Sequence, residues 1–108
     1  MNLLFVCSKN QWRSPTAEAI YRNRDGLNVR SAGTSPTARR AVNASDIRWA
    51  DHILVMEHTH KERLKEKFLQ ELAHKKIYVL DIADEYQFMD SDLVALIELK
   101  VAMVLFQF

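Results

Sequence analysis

A chain of 108 residues is long enough for one hydrophobic core and too short for two ordinary domains, so residues 1–108 are read as a single domain. With 48% hydrophobic and 27% charged residues against two glycines and two prolines, the composition excludes extended disorder. A formal net charge of +1 excludes a general attraction for nucleic acid or an anionic membrane, and a lone cysteine, Cys7, excludes an intramolecular disulfide and a multi-cysteine zinc site.

The first predicted element is a buried strand from Leu3 to Val6, a short apolar run that ends abruptly in polar residues. Ser14-Pro15 announces a helix: serine can cap the first free amides, proline loses no hydrogen bond in the first turn, and Ala17, Ile20 and Tyr21 fall on one face. A second strand runs from Asn28 to Ala32 and is ended by Gly33 and Ser35-Pro36. Thr37 to Ala50 is expected to be helical in part, and Ile53 to Met56 is a third buried strand. The segment from His60 to Ala73 carries Leu64, Phe68 and Leu72 at helical spacing, Ile77 to Leu80 forms a fourth strand, and Leu93 to Phe106 a final helix.

Neither end of the chain reads as a membrane or export segment. The N-terminal apolar run is too short for a signal-peptide core and has no basic residue before it, and the apolar tail is interrupted by Glu98 and Lys100. With the lone cysteine, this points to a cytoplasmic protein with no membrane partner.

Strands alternating with helices imply right-handed crossovers, hence an α/β fold: a three-layer domain with a four-stranded parallel sheet and helices on both faces. Such sheets place their chemistry at the carboxyl ends of the strands. Cys7 and the stretch from Asp81 to Tyr86 stand at two of those ends.

The loop Cys7-Ser8-Lys9-Asn10-Gln11-Trp12-Arg13-Ser14 joins a strand to a helix. Unpaired amides and the positive end of the helix dipole suit phosphate there, and the same field stabilises a thiolate, the attacking form of cysteine. Arg13 can return over the loop and grip two phosphate oxygens with its planar fork. A buried structural cysteine and a solvated arginine are the plain alternatives. The combination of strand end, cysteine, arginine, serine and proline favours nucleophile, cradle and clamp.

At these residues the sequence resembles the low-molecular-weight protein tyrosine phosphatase family, whose signature is a cysteine, five residues, then arginine and serine, usually followed by proline; here it stands as CSKNQWRSP. The resemblance continues through Ala17-Glu18-Ala19, Ser31-Ala32-Gly33-Thr34, Ala50 to Glu57, and Ile82-Ala83-Asp84-Glu85-Tyr86. It implies that Cys7 attacks phosphorus, that Arg13 and the loop residues Ser8 to Ser14 hold the phosphate, and that Asp84 protonates the leaving group, with no cofactor or metal. It further implies that the Ser14 hydroxyl supports the thiolate and that Ser31 braces the loop. Tyr86 beside Asp84 could stack on a phenyl phosphate, and Asp81 is the rival for the acid. The implied function is a phosphomonoester hydrolase passing through a cysteinyl phosphate, with a phosphotyrosine protein or small aryl phosphate as substrate.

The sequence departs from that family at several points. Lys9 stands where glycine is usual, a position expected to have special backbone angles. Trp12 replaces a second loop cysteine, and Glu85 replaces the proline after the acid. No aromatic follows Ser31-Ala32-Gly33-Thr34 to wall the pocket, and a shorter segment before Ile53 removes part of its rim. Two other functions fit part of the pattern: a phosphate-recognising module without turnover, and a phosphocysteine phosphotransferase subunit. His52, His58, His60 and His74 read as surface histidines rather than a metal set. Surplus apolar residues at Met103, Phe106 and Phe108 leave room for a homodimer contact.

Overall fold

The computed structural model describes residues 1–106. Its elements are β1 (Asn2–Cys7), α1 (Arg13–Tyr21), β2 (Asn28–Gly33), α2 (Ala44–Trp49), β3 (His52–Val55), α3 (His58–Lys67), β4 (Lys76–Val79) and α4 (Ser91–Leu105). The sheet order is β2-β1-β3-β4 and every pairing is parallel, with Cys7 opposite Gly33, Val6 opposite Val55, and Val55 opposite Val79. The expected four-stranded α/β architecture is therefore present.

Side-chain alternation along β1 explains the three layers. Leu3, Phe5 and Cys7 face one way and pack with Ala17 and Tyr21 of α1 and with Leu93, Ile97 and Val101 of α4. Leu4 and Val6 face the other way, into a second cluster with Ile47 of α2, Leu64 of α3, Phe68 and Leu72. These residues are buried, and both faces of β1 are covered, which is why the strand reads as an unbroken apolar run.

Several boundaries differ from the sequence expectation for local reasons. The third and fourth strands each start one residue earlier, at His52 and Lys76, although Met56 still donates to the Val6 carbonyl (3.0 Å) and Leu80 to the Val55 carbonyl (2.8 Å). α3 begins at His58 and stops at Lys67, because Phe68 leaves helical geometry (φ −127°, ψ 39°). Phe68 and Leu72 keep the helical stripe's burial through turns instead. Of the stretch from Thr37 to Ala50, only Ala44–Trp49 is helical; it is capped by Asn43, whose side chain accepts from the Asp46 amide at 2.9 Å. The preceding residues are committed to the Cys7 loop.

Ser14 does not cap α1. The helix starts at Arg13, with Trp12 in the cap position and no side-chain cap bond, and Pro15 occupies the first turn, where its missing amide costs nothing. On α4, Leu99 and Met103 are exposed while Phe106 packs against the core, and Phe108 lies outside the described residues. Among the described residues no helix is long and apolar enough to cross a membrane.

Candidate active site

In the order β2-β1-β3-β4, successive connections diverge from β1, so the crevice of the sheet opens at the carboxyl ends of β1 and β3. Cys7 ends β1 and Glu57 follows β3. The chain topology thus brings together residues that are fifty positions apart.

Cys7 is buried at 3% exposure, and its Sγ lies 3.0 Å from Ser14 Oγ. Asn10 Nδ2 donates to that same oxygen at 2.8 Å, which turns the hydroxyl proton toward the sulfur; the Ala32 carbonyl, at 3.4 Å, is the more distant acceptor. Asn10 Nδ2 also reaches Ser31 Oγ (3.0 Å), which in turn donates to Glu18 Oε1 (2.5 Å). Ser31 is buried and braces the loop through Asn10.

The loop's left-handed residue is Asn10 (φ 55°), not Lys9, so a side chain at position 9 meets no backbone penalty. Asparagine tolerates that conformation better than most residues, and here its side chain is fixed by two hydroxyls. Lys9 is exposed and donates to Thr37 Oγ1 (2.5 Å).

The segment after β2 forms the back wall. Thr34, Ser35 and Arg39 donate their amides to the carbonyls of Cys7, Ser8 and Lys9 (2.9, 3.0 and 3.0 Å), and Arg39 Nε donates to the Asn10 carbonyl (3.0 Å). Each carbonyl so held leaves its loop peptide's orientation fixed. Gly33 is required by contact rather than by φ: a methyl there would meet the Ser8 carbonyl oxygen at 2.5 Å. Arg40 secures the wall at its far end, donating to the Ser31 carbonyl (2.8 Å) and pairing with buried Asp46 (2.5 Å).

Arg13 is 97% buried by its own elements, with only 3% exposure. Its guanidinium pairs with Glu57, donates to the Ile82 carbonyl at 2.9 Å, and comes within 3.6 Å of Asp84 Oδ1. A small cavity of ≈ 30 Å³ opens here, lined by Cys7, Lys9, Gln11, Trp12, Arg13 and Asp84. The two rival carboxylates are thereby separated: Asp84 faces the cavity, and Asp81 does not line it. Tyr86 does not line it either, but packs against the core cluster. The aromatic wall is Trp12, 41% exposed, supplied by the loop itself rather than by the segment after Thr34.

His60 corrects the expectation of four surface histidines. His58 and His74 are exposed and His52 is half-buried, but His60 is 1% exposed. Its Nδ1 accepts the Glu57 amide (3.0 Å), so in the neutral ring Nε2 carries the proton and donates to Ser8 Oγ at 2.8 Å. Burial, reinforced by the nearby Arg13 guanidinium, pushes its pKa down to about 4. The sequence clue was the three-residue spacing from Glu57 to His60 at a helix start, where a side chain returning to the cap amide is favoured.

This has a pH consequence. The unfolded chain binds a proton at His60 near pH 6.5 and the native chain only near pH 4, so the contribution is intact above 6.5 and lost as pH falls toward 4. Wild type is expected to lose on the order of 3 kcal/mol through that window by this route. His60→Gln should flatten the dependence, read as urea midpoints at successive pH values. Parallel curves for the two proteins would refute it.

Residues 2–45 match the family model described as low molecular weight phosphotyrosine protein phosphatase. Among curated proteins, the chain is similar to a protein-arginine-phosphatase of Bacillus subtilis (strain 168), 33% identical with 63% of each chain covered, and to one of Geobacillus stearothermophilus, 30% identical with 78% of each covered. The chain thus spans less than two thirds of the Bacillus relative's length. Among solved structures, an arginine phosphatase from Geobacillus stearothermophilus is similar with a TM-score of 0.73 and 26% identity, over 94% of this chain and 90% of that one.

Proposed function

Since the chain belongs to the low molecular weight phosphotyrosine protein phosphatase family, the Geobacillus relative being matched over 78% of its length, we propose that it hydrolyses a phosphorylated protein side chain through a cysteinyl phosphate. The observation that carries this reading is the convergence of Cys7, Arg13 and Asp84 on one cavity. Cys7 and Arg13 come from the loop, whereas Asp84 arrives from beyond β4.

The reaction has two steps. The Cys7 thiolate attacks phosphorus in line while Arg13 and the loop hold the equatorial oxygens; the bond from phosphorus to the leaving atom breaks, and the Asp84 carboxyl gives that atom its proton. Water then attacks the phosphocysteine, Asp84 now accepting a proton, and inorganic phosphate departs from a regenerated thiolate. Ser14 Oγ, 3.0 Å from the sulfur, stabilises the thiolate both as attacker and as leaving group.

Phosphoarginine is the substrate class favoured here. Both curated relatives are named as arginine phosphatases. An exposed indole face, Trp12, at the cavity suits a planar cationic guanidinium. A second reading, phosphotyrosine, rests on the description of the family model and on the same indole. Among the described residues, however, the cavity has no second aromatic wall to sandwich a phenyl ring. Turnover of matched phosphoarginine and phosphotyrosine peptides decides between them: a higher kcat/KM on phosphoarginine is expected, and a preference for phosphotyrosine would reverse the assignment.

The role of Asp84 is tested by leaving-group dependence. A general acid matters most for a basic leaving atom, so Asp84→Asn should slow a phosphopeptide by roughly 10²- to 10⁴-fold and an activated aryl phosphate much less. If Asp81→Asn gives that selective loss and Asp84→Asn does not, Asp81 is the acid.

A further inference from the structure

Beside the Cys7 cavity lies a second, larger depression of ≈ 420 Å³, bounded by α1, the back-wall segment and the tip of the stretch before α4. Gln11 lines both, so the groove and the Cys7 cavity share a wall. Its walls carry Arg22, Arg39 and Arg40, with Glu18 as the one carboxylate among the described residues and Phe88, 53% exposed, in the lining.

The charges in it are unequally engaged. Glu18 Oε1 accepts from Ser31, and Arg40 pairs with buried Asp46, which Arg30 also approaches at 3.4 Å. Arg39 uses Nε on the Asn10 carbonyl and has no carboxylate partner among the described residues, and Arg22 has no ion pair among them either. Two guanidinium groups therefore line an open groove whose carboxylate, Glu18, forms an ion pair with neither, which leaves positive charge in excess there. The chain as a whole is only +1, so this is a local excess.

We propose that this groove docks the polypeptide flanking the phosphorylated residue of the substrate, and that it selects acidic flanks, with an apolar flanking side chain against Phe88. The inference rests on the phosphatase reading for the placement of the phosphorylated residue in the Cys7 cavity. Charge complementarity and the shared Gln11 wall carry the rest. The groove adjoins the cavity at Gln11, so the preference applies to the flank of the peptide that passes that wall.

The test uses phosphoarginine peptides of one sequence with Glu, Ser or Lys at the flanking positions, and para-nitrophenyl phosphate as a substrate that cannot reach the groove. Exposed charge pairs lead us to expect kcat/KM to rise roughly two- to fivefold for each flanking Glu that meets an arginine, to fall for Lys, and to lose its spread at high salt. Arg22→Glu should reverse the order of the peptides through KM while leaving para-nitrophenyl phosphate turnover unchanged. Equal kcat/KM for the three peptides would overturn the proposal, as would an Arg22→Glu variant that keeps the wild-type order. Binding of the same peptides, read by fluorescence anisotropy, keeps the two readings distinct. Absence of turnover on every substrate ends the phosphatase reading, whereas the order of the peptide affinities still decides the groove.

Discussion

Cys7→Ser is expected to lower turnover by roughly 10⁴-fold or more, the scale on which loss of a covalent nucleophile is felt when the rest of a site is intact. A neutral hydroxyl is a poor attacker, but it fits the space that Sγ occupies and can keep the contact with Ser14 Oγ. The fold should therefore survive and phosphate should still bind. The measurement is kcat on para-nitrophenyl phosphate together with phosphate affinity by calorimetry. Hydrolysis within tenfold of wild type would end the covalent mechanism. Loss of phosphate affinity together with turnover would instead make Cys7 a structural residue of the loop.

Arg13→Lys is expected to cost roughly 10²- to 10³-fold in kcat/KM, comparable to the removal of one well-placed donor to a transition-state oxygen. The reason is geometric. Arg13 Nη1 donates to both Glu57 and the Ile82 carbonyl, so the fork is aimed before substrate arrives. An ammonium group keeps the charge but cannot span both partners and two phosphate oxygens at once. Because Arg13 is buried, some loss of stability is also expected, on the order of 1–3 kcal/mol. Thermal unfolding of the variant separates that loss from the kinetic one: a folded variant with unchanged kcat/KM would remove Arg13 from the chemistry.

What the sequence revealed about this site is what lies contiguous in it. Cys7, Arg13 and the loop between them are readable because strand end, nucleophile, clamp and helix start occupy one short segment. The apolar runs of β1 and β3 were equally readable, since both faces of those strands are covered. The one local mark that sets His60 apart from His58 is its spacing from Glu57, and its burial depends on Ser8, far away in the chain and adjacent only after β1 and β3 pair. The part Glu57 plays in the site is invisible in the sequence, because its guanidinium partner stands 44 residues earlier. The end of α3 was missed for the opposite reason: the apolar period continues through Phe68 and Leu72, yet burial is kept by turns rather than by helix. Trp12 looked like a replaced cysteine, and only the fold shows that its indole stands at the cavity mouth.

The ties of Arg13 bear on the order in which the molecule matures. One partner lies 44 residues downstream and another 69, the latter beyond the last strand of the sheet. Contacts of such separation form late, because long loops must close before they are rewarded. While the chain is being synthesised, the loop around Cys7 emerges early, but the fork that would aim a phosphate at it stays unset until residue 82 has docked. The two halves of the apparatus are thus joined by an interlock: a half-made chain can carry the thiol without the means to use it.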